Sequence, residues 1–161
     1  MLRRAHATGG DSGAEAGLPA FVIEESLGYL VNRAARMMAG ELAERLRPAG
    51  IGIGQWAIML LLWARDGSTQ AELARLAAIE PPTVVRTIDR MVRDGLVTRA
   101  PDPRDARLSR IHLTERGRTL RDELVPQAVA VNDVFLQRVT PSEGASLRRL
   151  LTKLLGDPSR P

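Results

Sequence analysis

The sequence contains no cysteine and only two histidines, His6 and His112. Without thiols the chain has no disulfides, no cysteine nucleophile, no cysteine-based redox sensor and no thiolate metal site. Two histidines so far apart in the sequence do not form a transition-metal site unless carboxylates complete it. His112 lies between apolar residues and is interpreted as a half-exposed structural residue. We therefore expect neither a metal nor another cofactor.

Aromatic residues and long apolar runs are also scarce. Phenylalanine, tyrosine and tryptophan make up 3% of the 161 residues, so the core must be mostly aliphatic, which favours packing of helix on helix. No apolar run approaches the ~20 residues that a membrane span needs. The first residues, MLRRAHATGG, lack the apolar segment of a signal peptide. The sequence predicts a cytoplasmic protein that does not contact a membrane.

Lysine is nearly absent, because 22 of the 23 basic residues are arginine and Lys153 is the sole lysine. The formal net charge is +4 and the pI is near 10.8. Arginine-rich codon usage is one explanation of this bias. The other is function, since the guanidinium group matches phosphates and guanine edges better than an ammonium group does. The positions of the arginines must decide between the two.

Apolar residues at helical spacing organise most of the chain. Residues 1–19 are glycine-rich and aperiodic, and we expect them to form a flexible arm. Residues 20–47 predict a long helix whose apolar stripe exceeds what a small domain covers, and residues 115–156 predict two C-terminal helices. Residues 52–114 predict further helices, a helix–turn–helix and a hairpin. The predicted fold is mainly α, with about six helices and a two-stranded β-hairpin wing: a winged helix-turn-helix between N- and C-terminal dimerisation helices.

Capping residues mark several of the predicted helix starts. Thr69 followed by Glu72 has the spacing of a capping box, and Thr114 and Thr140 are expected to cap the two C-terminal helices. After Gly95, the runs LVTRA and LSRIHLT predict the two strands of the hairpin. The residues expected at alternating positions of these strands are Leu96, Thr98, Ile111 and Leu113.

The segment TVVRTIDRMVRDGLVTR, residues 83–99, has an apolar back and an arginine–threonine front. The front residues follow the spacing i, i+3, i+4, i+7 of one helical face; they are Thr83, Arg86, Thr87 and Arg90. Arginine bonds guanine O6 and N7 or a phosphate, and threonine offers a hydroxyl to phosphate and a methyl to thymine. The helix N-terminus is expected to add backbone N–H groups for phosphate. A merely solvated face would mix Lys, Glu and Gln, so double-stranded DNA is the predicted partner.

Several stretches resemble a known family. They are ELA at 72–74, PTVVRTIDRM at 82–91, DGLVTR at 94–99, DPRDAR at 102–107 and LTERG at 113–117. Together they are similar to the MarR family of winged-helix transcription regulators. The resemblance implies a homodimer that binds pseudo-palindromic DNA, and it assigns the front residues of 83–90 to the recognition helix.

The resemblance also implies roles for three residues of DPRDAR. Arg104 matches the wing-tip arginine that enters the minor groove, where a narrow groove concentrates negative potential and attracts arginine. Asp105 and Arg107 match the acidic and basic residues that brace the wing through an ion pair. Arg107 is also placed among the DNA-binding residues of the wing.

A crevice for a small aromatic or anionic effector, between the dimerisation and DNA-binding parts, is a further implication of the resemblance. The candidate lining residues are Tyr29, Arg33, Arg36, Trp56 and Met59. Trp56 fits a place in the core equally well. Arg33 and Arg36 also suit a solvated surface or the salt bridges of a dimer.

The predicted function is that of a sequence-specific regulator whose effector releases it from a pseudo-palindromic operator. A repressor is favoured, and an activator remains open. An architectural or ligand-independent DNA-binding protein is the alternative, although broader basicity is typical of that class. An enzyme is not expected, because carboxylate pairs such as Asp102 with Asp105 lie in a loop without an oriented base, a metal cluster or a phosphate cradle.

Overall fold

The computed structural model describes residues 22–105 and 107–156, so the expected arm at 1–19 lies outside the described residues. Within them the chain forms six α-helices and three short strands, which confirms the mainly helical prediction. The long first helix begins at Leu27, after a 3₁₀ turn at Ile23–Glu25. In chain order the elements are α1 (Leu27–Leu46), α2 (Ile53–Ala64), β1 (Ser68–Thr69), α3 (Gln70–Ala77), α4 (Pro81–Arg93), β2 (Val97–Pro101), β3 (Ser109–Leu113), α5 (Glu115–Leu136) and α6 (Pro141–Leu155).

Reciprocal side-chain bonds begin two of the helices, and the sequence predicts the first of these capping boxes. The hydroxyl of Thr69 accepts the backbone N–H of Glu72 at 3.2 Å, and the Glu72 carboxylate accepts that of Thr69 at 2.8 Å. This backbone bond is the main reason that the pKa of Glu72 is lowered. Thr140 and Glu143 form the same box at the start of α6. Thr114 caps α5 by accepting the N–H of the third helical residue at 3.0 Å.

The sheet has three antiparallel strands in the order β1–β3–β2, where the sequence predicts only a hairpin. Val97 pairs with Leu113, and both are buried, whereas Thr98 is exposed. Leu96, which the sequence places in the first strand, is buried just before β2 begins. β1 has only two residues, too few to show an alternating pattern in the sequence. It pairs with the edge of β3 that β2 leaves open and so bonds backbone groups that would otherwise lack partners.

An aliphatic core joins α2, α3 and α4 to the sheet and the first half of α5. Ile58 and Met59 of α2 are fully buried at its centre. The Nε1–H of Trp63 donates to the carbonyl oxygen of Gly117 at 2.9 Å, and a Cβ at Gly117 would overlap the carbonyl oxygen of Leu96. The start of α5 therefore lies directly against Leu96, in the short connection between α4 and β2.

The long helices leave large apolar surfaces exposed. Leu27 is 61% exposed on α1, and Leu150 is 50% exposed on α6. Of the residues of α6, the buried one is Gly144. The single chain thus leaves uncovered the first part of the apolar stripe of α1 and the stripe of α6, while the end of the α1 stripe is buried at Leu46.

No single helix among the described residues is long and apolar enough to cross a membrane. The segments Leu27–Ala49 and Ile53–Ala64 satisfy the length and composition only as a pair bent by 81°. Buried core helices have the same composition, and α2 buries five of its twelve residues inside the protein.

Candidate nucleic-acid interface

The front of α4 is exposed and its back is buried. Thr83, Arg86 and Arg90 are exposed and Thr87 is half-buried, so the structure brings all four predicted residues to one surface. The Thr87 hydroxyl donates to the carbonyl oxygen of Thr83 at 2.9 Å, and a guanidinium nitrogen of Arg86 donates to the Thr83 hydroxyl at 3.3 Å. Hydrogen bonds thus link Thr83, Arg86 and Thr87, and Arg90 is exposed further along the same face.

Two carboxylates close to this surface are held by other elements. Asp89 accepts a hydrogen bond from Arg99 of β2 at 2.7 Å. Asp94, at the end of α4, accepts one from the side-chain amide of Gln55 in α2, also at 2.7 Å. Each acid is paired with a donor outside α4, so hydroxyl and guanidinium groups dominate the front of the helix.

The N-terminus of α4 corrects one expectation. Proline has no backbone N–H, and Pro81 and Pro82 occupy the first two positions of the helix. The next N–H, that of Thr83, already donates to the carbonyl oxygen of Glu80 at 2.9 Å. The first turn therefore offers no free N–H group to a phosphate, and an anion near this helix must be met by side chains.

Asp102 organises the loop between β2 and β3, which we call the wing loop (residues 102–108). It is 5% exposed. Its Oδ1 accepts the backbone N–H groups of Arg104 at 2.7 Å and Asp105 at 3.2 Å, and its Oδ2 lies 2.5 Å from Nε of Arg110. Arg110 also donates to the carbonyl oxygen of Gly67 at 2.7 Å, which ties the loop to the far edge of the sheet.

The ion pair of the wing is thus not the one that the resemblance implies. Asp105 accepts the backbone N–H of Arg107 at 3.0 Å, while the ion pair joins Asp102 to Arg110. Asp102 takes this role because it follows the pair of Pro101 with Ser109 and lies opposite Leu108. Arg110, two residues after Leu108, is then its diagonal neighbour on the same face of the hairpin. The sequence carried one signal for it, since Asp followed by Pro initiates turns. Arg104 and Arg107 are both exposed.

Comparison with known proteins identifies this arrangement. The family model described as MarR family matches residues 51–109. A MarR-family transcriptional regulator from Silicibacter pomeroyi is 31% identical, with 83% of this chain and 90% of that chain covered and a TM-score of 0.69. The chain belongs to the MarR family.

Two further relatives extend the match. The HTH-type transcriptional repressor Rv2887 of Mycobacterium tuberculosis is 28% identical over 131 residues, which are 81% of this chain and 94% of the repressor. BpsR of Bordetella bronchiseptica shares the fold at 23% identity, with a TM-score of 0.78 over 86% of this chain and 99% of that chain. MarR-family proteins are transcriptional regulators and not enzymes.

A groove of about 950 Å³ separates the start of α4 from the wing of this MarR-family chain. Arg99 and Arg107 line it on the wing side and Arg75 on the α3 side. Val85 and Leu108 are its exposed apolar residues. The groove also contains the carboxylate of Glu80, and the guanidinium group of Arg99 is the one that bonds Asp89. It thus combines three guanidinium groups, one carboxylate and apolar side chains between the two surfaces that the sequence assigns to DNA.

A smaller crevice of about 330 Å³ lies between α1, α2 and α5. Of the five predicted effector-binding residues, Trp56 lines this crevice. Met59 is fully buried in the core, and Tyr29, Arg33 and Arg36 precede the part of α1 that lines the crevice, which begins at Met38. The structure does not bring the five residues together, because successive turns of α1 carry the earlier ones away from α2.

Protonation of Asp102 gives a test of the wing. The backbone N–H of Arg104, followed by the side chain of Arg110, lowers the pKa of Asp102 below its ordinary value of 3.8. The charged carboxylate therefore stabilises the fold above pH 3.8, and this contribution is lost as the pH falls through the lower, folded-state pKa. We expect Asp102→Asn to be less stable than the wild type near neutral pH, with the difference shrinking as the pH falls below 3.8.

Urea unfolding of both proteins, at about pH 7 and at about pH 3, measures this difference. Asp105→Asn is the matched control, because it neutralises an exposed carboxylate of the same loop. An Asp102→Asn deficit that is the same at both pH values would show that the charge does not contribute.

Proposed function

We propose that this chain is a sequence-specific DNA-binding repressor that acts in the cytoplasm as a homodimer on a pseudo-palindromic operator. The exposed front of α4 carries the proposal, since its hydroxyl and guanidinium groups stand on a helix whose back is fixed in the core. The similarity to the repressor Rv2887 supports the direction of regulation.

In this proposal α4 enters the major groove. Arg86 and Arg90 are two of the four residues on its front, and each has the donor fork that bonds guanine O6 and N7. Thr83 and Thr87 add a hydroxyl and a methyl group, which distinguish base pairs and contact phosphate. Because the first turn of α4 has no free N–H, orientation on the duplex depends on side chains beside the helix.

The arginine-lined groove between α4 and the wing supplies those side chains. A duplex that accepts α4 in the major groove and the wing in the adjacent minor groove must pass one sugar–phosphate strand between them. Arg75, Arg99 and Arg107 border the groove of about 950 Å³ at this place. Phosphate contacts position a protein on DNA without reading sequence, and they make its affinity fall with salt.

The wing presents Arg104 to the minor groove. Its backbone N–H is held by Asp102 at 2.7 Å, while its side chain is exposed. The Asp102–Arg110 pair therefore holds the loop backbone, and the exposed guanidinium group of Arg104 follows the groove. A narrow, A/T-rich minor groove has the strongest negative potential and is the expected target.

A second copy of the chain covers the exposed apolar faces in this proposal. The residues concerned lie on α1 and α6: Leu27, Leu30, Val31, Leu147, Leu150 and Leu154. Symmetric pairing is the commonest way to bury such faces, and it places two recognition helices about 34–36 Å apart, on successive turns of the duplex. Light scattering should give about twice the chain mass of 17.6 kDa; a single-chain mass contradicts the dimer.

The effector proposed for the crevice is a small aromatic molecule. The described lining consists of apolar side chains and one amide, Asn132, without a charged group. A volume of about 330 Å³ suits a single ring system. BpsR, which shares the fold, is regulated in its DNA binding by 6-hydroxynicotinic acid. A thermal-shift screen of ring compounds tests the crevice, with Ala128→Trp as a variant that should block it.

Removal of one guanidinium group from α4 should reduce specific binding. We expect Arg86→Ala or Arg90→Ala to cost about 1–3 kcal/mol on the preferred duplex if the residue reads a guanine bidentately. The measurement is a fluorescence-anisotropy titration on the duplex that the wild type selects from a random pool, and on a scrambled duplex. Arg138→Ala, which removes an equal charge beside Phe135 at the end of α5, is the control. Equal losses on both duplexes would assign the residue to phosphate contact.

Loss of the wing-tip arginine should depend on the DNA that flanks the half-sites. We expect Arg104→Ala to weaken binding most when these flanks are A/T-rich, since the narrow groove contributes most there. Parallel titrations on duplexes with A/T and G/C flanks measure the dependence. Equal weakening on both duplexes would rule out the minor-groove contact.

A further inference from the structure

Gln55 in the first turn of α2 is a buried polar residue, 4% exposed, with both ends of its amide bonded. Its Oε1 accepts the backbone N–H of Gly52 at 2.9 Å, and its Nε2 donates to Oδ2 of Asp94 at 2.7 Å. The orientation of the amide is fixed by its partners, because a backbone N–H only donates and a carboxylate only accepts. Burial of an amide costs free energy unless its polar atoms are bonded. The buried Gln55 side chain therefore depends on its two contacts, with Gly52 and Asp94.

Asp94 follows the last residue of α4, where helix electrostatics does not favour it. The C-terminus of a helix has partial negative charge, so a carboxylate there is unfavourable. Its carbonyl oxygen accepts a hydrogen bond from Arg116 of α5, and its carboxylate accepts the one from Gln55. The contact with α2 therefore accounts for an acidic residue that the helix alone disfavours.

The first turn of α2 approaches α4 at a second point. A Cβ at Gly54 would be 3.8 Å from the hydroxyl oxygen of Thr87, on the front of the recognition helix. One turn of α2 thus lies beside α4 near its middle and bonds it at its end. The same turn begins just after the sharp bend between α1 and α2. Trp56, the residue after Gln55, lines the crevice.

We propose that the Gln55–Asp94 hydrogen bond sets the angle at which α4 meets DNA, and that Gln55 is a positioning residue for specific recognition. The inference rests on the proposed function, in which α4 reads base edges. Bidentate contacts with bases tolerate little rotation of the helix, whereas phosphate contacts made by long arginine side chains tolerate more. Loss of the bond should therefore reduce the ratio of specific to non-specific affinity.

A donor–acceptor exchange tests the bond at constant net charge. Gln55→Glu places two carboxylates together, and we expect about a tenfold lower ratio of affinities. In the double variant Gln55→Glu/Asp94→Asn, the new amide donates to the new carboxylate, so the ratio should return towards that of the wild type. Titrations on the selected and scrambled duplexes at one salt concentration measure the ratio.

Asp94→Ala is a second variant, made at an exposed position, which keeps the test valid if Gln55→Glu does not fold. It removes a negative charge near DNA, so electrostatics alone would tighten binding to every duplex. Equal tightening on every duplex would leave the ratio of specific to non-specific affinity unchanged. The positioning role of Gln55 instead predicts a lower ratio.

Unchanged ratios in Gln55→Glu and Asp94→Ala would overturn the positioning role, as would a double variant that restores nothing. A wild type without preference for any duplex would overturn the proposed function itself, and the two failures are therefore distinguishable.

Discussion

Burial of the apolar back of α4 fixes the direction in which the side chains on its front point. Val84, Ile88 and Met91 are at most 1% exposed and pack on α2, α3 and the sheet. A shift of one residue would turn the helix by about 100°. In one direction this would bury Arg90 in place of Met91 and expose part of the core. Close-packed interiors do not permit such a shift, so an aliphatic core with no chemistry of its own determines which groups DNA meets.

Local physics made much of the fold predictable from the sequence. Apolar spacing places the helices, and the hydroxyls of Thr69, Thr114 and Thr140 begin three of them because each satisfies a backbone N–H that has no partner within the helix. The exposed front of α4 was also predictable, because residues three and four apart in a helix share a face. The exposed stripes of α1 and α6 follow from the pattern as well.

Contacts between distant residues were not predictable in this way. The wing is braced by Asp102 and Arg110, whose approach depends on the register of two strands, whereas the family resemblance implied a pair of Asp105 with Arg107. Similarly, two prolines are typical of a helix start, but the structure shows that the remaining N–H of that turn is already bonded. The crevice gathers residues from α1, α2 and α5, and the relative rotation of these helices decides which side chains face it.

The two tryptophans give the crevice an optical probe of its own. The rings of Trp56 and Trp63 lie edge to face with their centroids 5.6 Å apart, close enough to exchange excitation energy. Trp56 lines the crevice, while Trp63 reaches the start of α5 through its bond to Gly117. A molecule that enters the crevice and quenches Trp56 would therefore dim the emission of both rings, so the unlabelled protein would report its own binding by ultraviolet fluorescence.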